Sequence, residues 1–155
     1  LSNTPEEYRA QQDFLLEVRD EVSRANQAII RIRKLKKDLS FLRGKASGHP
    51  SLAEDAGAFE QKLSEIENAI HMTKNQSLQD PVNYGIRINN RLAFLLSDSQ
   101  RGDYPPTEQA VAFFQEVREE LSATLRALED AKATYLRGIN EKISALGIPM
   151  ISEQP

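Results

Sequence analysis

Two histidines, His49 and His71, and no cysteine limit the metal and nucleophile chemistry open to this chain. A di-iron helical bundle needs a Glu-x-x-His motif on each of two helices. Asn68, not Glu, stands three residues before His71, so that motif is missing. The lack of cysteine removes disulfides, thiolate metal ligands and cysteine nucleophiles together. Carboxylates are plentiful at Glu54, Asp55, Glu60, Glu65 and Glu67, and again at Glu116, Glu119 and Glu120. They flank apolar seams, where acids solvate a helix and pair with Lys or Arg. No pattern places one in the apolar pocket that a raised-pKa acid requires. His71 beside Glu67 reads as a rim pair. Ser47 and Ser51 flank His49 in a turn, with no acid arranged to complete a triad. No glycine-rich phosphate loop occurs. The residues point to no catalytic centre, no metal site and no cofactor.

Two polar features stand out. The run Arg31-Ile32-Arg33-Lys34-Leu35-Lys36-Lys37 is the densest positive charge, yet the chain carries a net charge of −3. No aromatic platform interleaves the run, so nucleic acid is not an expected partner. It reads as a flank salt-bridged to Glu116, Glu119 and Glu120. The second feature is Asn83, Arg87, Asn89, Asn90 and Arg91, polar residues in an otherwise apolar segment. Adjacent Asn lower helix propensity, so tertiary contacts should use them. They are expected to hydrogen-bond the loop Asp98–Pro106, or else to form a small-ligand or partner site.

The elements that would position these residues are all helical. In 155 residues there are seven Gly, seven Pro and ten aromatics, and 39% of the chain is hydrophobic. That balance suits one domain of long amphipathic helices over residues 1–155. Helices are expected at about 4–43, 51–76, 81–97 and 107–146. Thr4-Pro5-Glu6-Glu7 and Ser51-Leu52-Ala53-Glu54 read as capping boxes. Asp80-Pro81 and Thr107 read as further starts, and Gly147-Ile148-Pro149 as a stop. The third helix, with Tyr84, Ile88, Leu92 and Leu95 on one face and Ile86, Ala93, Phe94 and Leu96 widening it, should lie deepest. Gly138 is a weak spot inside the fourth helix. No strand pattern occurs.

Short links between such helices imply an all-α, up-down-up-down four-helix bundle, its two outer helices long and its two inner ones short. The surplus start of helix one and end of helix four would then project together, beside both termini. An exposed apolar patch of Tyr8, Phe14, Leu15, Val18, Leu136, Ile139 and Ile143 would mark a docking surface. No run of 18 apolar residues exists to span a bilayer. Leu1 to Glu7 lacks the basic start and apolar run of a signal peptide, and reads as a cut end.

The segment Asn83-Tyr84-Gly85-Ile86-Arg87-Ile88-Asn89-Asn90-Arg91-Leu92-Ala93, with Asp103-Tyr104-Pro105-Pro106-Thr107 and Leu146-Gly147-Ile148-Pro149, carries a resemblance. It resembles the C-terminal helical region of large bacterial proteins with sortilin-type, BNR-repeat β-propellers, often labelled glycosyl hydrolases. The match spans about Asp80 to Pro149. The resemblance implies an accessory domain, C-terminal to a propeller, in an exported periplasmic or extracellular protein. Its partner would be the preceding propeller domain of the same chain, or a second copy. No catalytic residue carries over. The expected function is therefore a non-catalytic interaction domain. The alternatives are part of a glycoside hydrolase whose catalytic residues lie in a propeller, or a helical oligomerisation adaptor.

Overall fold

The computed structural model describes residues 3–73, 85–148 and 151. The described residues form four α-helices and no strand: α1 (Pro5–Lys45), α2 (Pro50–Ile70), α3 (Ile88–Ser99) and α4 (Glu108–Ser144).

Local chemistry sets most of the boundaries. The Thr4 backbone N–H donates to Glu7 Oε2 at 2.7 Å, and the Glu7 N–H donates to Thr4 Oγ1 at 3.2 Å. This is the reciprocal capping box, with Pro5 in the first turn. Thr107 Oγ1 accepts from the Ala110 N–H at 3.1 Å and starts α4. Beyond α4, Gly147 has a φ of +69°, a left-handed conformation that glycine adopts without strain. The Ile148 N–H reaches back to the Ile143 carbonyl and the Gly147 N–H to the Ser144 carbonyl, the Schellman pattern of bonds.

Three expected boundaries need correction. The box at Ser51–Glu54 does not form: His49 is the cap residue, without a side-chain cap bond, and Pro50 takes the first turn. Proline is pre-set for that position, so Ser51 falls inside the helix, where its hydroxyl accepts from Lys142 Nζ at 2.6 Å. Helix α2 ends at Ile70 rather than near 76, because His71 is extended at φ −137°. A continued helix would bring Thr73 to the core; the break buries Met72 and leaves Thr73 exposed. Helix α3 starts at Ile88 instead of 81. Gly85, with a φ of +81°, and an extended Arg87 precede it. The expected start at Asp80-Pro81 and the residues Asn83 and Tyr84 lie outside the described residues.

Side-chain pairs fix the direction of each helix. Arg43 to Glu60 (3.0 Å) and Arg33 to Glu67 (2.7 Å) run α2 antiparallel to α1. Asn26 to Asn89 (3.4 Å) and Gln11 to the Ser99 carbonyl (3.0 Å) run α3 antiparallel to α1 as well. The stacked rings of Phe59 and Tyr135, with centroids 5.3 Å apart, and the Asp55–Lys142 pair run α4 antiparallel to α2. Phe14 against Phe114 and Glu17 against Arg118 leave α4 parallel to α1. The long outer and short inner helices are as expected, but strict alternation is not. Helices α2 and α3 run the same way in succession, as two halves of one interrupted rod. The bundle has three rods and an up-down-down-up order, with α1 about 60 Å long.

This order removes the projecting end. The start of α1 is covered by α3 and by the start of α4, and the end of α4 by the start of α2. Phe14, Val18, Leu136, Ile139 and Ile143 are buried core residues. Leu15 is half-buried, and of the expected patch only Tyr8, 45% exposed, faces solvent. Helix α3 is also not the deepest. It buries Ile88, Leu92 and Leu95, a single stripe at i, i+4 and i+7, while Ile86 just before it and Phe94 on it face outward.

Candidate functional site

Two carboxylates are buried in the described bundle, and each is held by two cations. Glu67 is 3% exposed. It accepts from Arg33 Nε at 2.7 Å and from Lys36 Nζ at 3.0 Å, which ties the end of α2 to α1. Burial alone would raise its pKa. Hydrogen bonds from Arg33 and Lys36, with the charges behind them, outweigh burial and hold the carboxyl below the usual 4.5. Glu21 lies 2.7 Å from Arg24 Nη1 and 3.4 Å from Arg118 Nε, and so ties α1 to α4.

These positions were hidden in the seams. Leu63, Ile66, Glu67 and Ile70 fall at i, i+3, i+4 and i+7, and Val18, Glu21 and Ala25 at i, i+3 and i+7. A carboxylate at a core-facing register is the signal that marks a structural ion pair. Gln11 shows the same pattern, three and seven residues before Phe14 and Val18. Its amide donates to the carbonyls of Ser99 and Gly102 and anchors the loop after α3. The expected anchor for that loop was the Asn/Arg segment, which instead clamps α3 sideways. Asn89 donates to Asn26 of α1, and Arg91 pairs with Glu120 of α4. Arg87 and Asn90 are half-buried. Asn89 and Arg91 thus point to neighbours on different helices. Asn83 lies outside the described residues.

The basic run takes a different partner from the one expected. Arg33 and Lys36 pair with Glu67, and Glu120 pairs with Arg91. With α4 parallel to α1, Glu116 to Glu120 lie level with the acidic start of α1, far from residues 31–37. Arg33, Lys36, Glu67, His71, Met72 and Thr73 line an open depression of about 610 Å³ where α2 ends. The His71 N–H donates to the Glu67 carbonyl at 2.8 Å. The carboxylate there is ionised and fixed by two cations, which suits it to holding helices rather than moving protons. Among the described residues no three His, Cys, Asp or Glu side chains are grouped to hold a metal ion. Nor is any helix among them long and apolar enough to cross a membrane.

Fold and site together define an elongated, all-α bundle fastened by buried ion pairs. No family model, curated protein or solved structure matches the chain.

Proposed function

We propose that this chain is a non-catalytic interaction domain, an accessory module next to a β-propeller in an exported protein. One observation carries the reading. The buried acids are neutralised inside the bundle, while Ile30, Phe41, Ile86 and Phe94 turn their side chains to solvent. An enzyme of this size would hold a polar group poised in a cleft, whereas a binding module displays apolar anchors on a rigid frame. The propeller setting rests on the resemblance of Asp80 to Pro149. On this reading the chain itself hydrolyses no glycoside. The test is turnover of a panel of chromogenic glycosides by the purified chain. Activity abolished by a single Asp or Glu substitution overturns the reading.

A further inference from the structure

Helix α1 is divided in charge along its length. Residues 5–20 hold five acidic and two basic side chains, and residues 30–45 hold seven basic and one acidic. Arg33, Lys36 and Arg43 turn to acids of α2, whereas Arg31 and Lys37 are exposed. On the same side lie Ile30 and Phe41, 66% and 65% exposed. They are eleven residues apart, so three turns bring them to one face. Leu16 and Tyr8 are the exposed apolar residues of the acidic half.

We propose that two copies of this chain pair through the outer faces of their α1 helices, antiparallel, about a twofold axis near residue 24. This deepens the reading of the chain as an interaction domain by naming its partner. A twofold interface requires that residue i meet j while j meets i. Leu16 and Ile30 are centred on residue 23, and Tyr8 and Phe41 between 24 and 25. The charges fall about the same centre with opposite signs. Asp13 is centred with Arg31 on residue 22 and with Lys37 on 25, and Arg9 and the half-buried Asp38 lie about a centre between 23 and 24, whereas Glu17 turns to Arg118 of α4. A parallel pair would set acid on acid and base on base, so the charge pattern selects the antiparallel arrangement. At the axis stands Ser23, small and exposed, where two helices can approach closely. Solvent-exposed charges dominate the interface, so the dimer is sensitive to salt.

Sedimentation equilibrium over a wide concentration range, at low and high salt, reads the association. The wild type should show a monomer–dimer equilibrium that weakens as salt rises. Arg31→Glu with Lys37→Glu should weaken it by about tenfold or more, and Asp13→Lys should weaken it as well. An equal mixture of the two variants should restore a dimer, because each reversed half then meets its opposite. The chain lacks cysteine, so Ser23→Cys should give a disulfide-linked dimer on oxidation and Ser40→Cys should not. That cross-link decides the matter if a charge-reversed variant fails to fold. A monomeric wild type overturns the proposal, including one that binds anionic vesicles instead. So does a dimer that both variants leave unchanged, or a mixture of folded variants that stays monomeric. Monomers without glycosidase turnover leave the interaction-domain reading standing, and turnover removes that reading whatever the oligomeric state.

Discussion

Phe14 of α1 and Phe114 of α4 meet edge to face, with ring centroids 5.5 Å apart and planes at 79°. A hundred residues separate them, and Glu17 meets Arg118 at nearly the same offset. The first and last helices therefore run in parallel register at their starts.

Both rings are buried, so Phe114→Ala should destabilise the protein by about 3–5 kcal/mol in denaturant melts. A double-mutant cycle with Phe14→Ala should return a coupling of about 0.5–1.5 kcal/mol beyond the lost area. Strict additivity would separate the two rings and remove the parallel register.

Glu67 gives the protein a pH dependence of known sign. Its carboxyl titrates below 4.5 when folded and near the usual value when unfolded. The unfolded state therefore binds the proton first as pH falls, and stability declines through the window below about 4.5. Glu67→Gln should cost about 1–3 kcal/mol at neutral pH, in the range of a hydrogen bond to charge. It should also flatten that acid decline. Parallel curves for the two proteins would show that Glu67 is not its source.

How much of this was legible in the sequence depends on the kind of information asked for. The 3.6-residue spacing identified the helices and most of the core, because Leu63, Val117 and Ile139 have no other way to be buried. Thr4, Thr107 and Gly147 marked real ends, because their side chains or backbone satisfy orphan groups locally. Direction was not legible. Periodicity tells which side of a helix faces inward, not which way the next helix runs. Seventeen residues separate Ile70 from Ile88, enough chain for α3 to continue downward rather than turn back. That one choice moved the docking patch into the core and gave the basic run a different acid. Glu67 could be read as core-facing from its register. Its partners could not, since topology alone decides what faces it.

Gln11 is the polar residue to test at the loop after α3. Gln11→Ala leaves the Ser99 and Gly102 carbonyls without their donor and should destabilise by about 1–3 kcal/mol. The exposed neighbour Gln12→Ala should stay within about 0.5 kcal/mol of wild type. Equal effects would show that the anchor contributes nothing.

Two glycines should respond in opposite directions. A methyl group on Gly138 would meet nothing within 4 Å, and the residue lies in the interior of α4. Gly138→Ala should therefore stabilise by about 0.5–1 kcal/mol, through helix propensity. Gly147→Ala meets the left-handed backbone at φ +69° and should destabilise by about 1–2 kcal/mol. Thermal melts measure both, and a common sign would contradict the assigned backbone.

The interruption of the middle rod also makes the molecule unequal along its length. Helix α2 has 21 residues with a continuous buried stripe from Leu52 to Ile70, whereas α3 has 12 residues and buries only Ile88, Leu92 and Leu95. Local opening requires exposing only what a segment covers. Amide protons of α3 should therefore exchange with solvent well before those of α2. The starts of α1 and α4, which lean on α3, should follow it, while their far halves stay protected with α2. Two cooperative units of different durability share one pair of continuous helices, and the lower one is the first to yield.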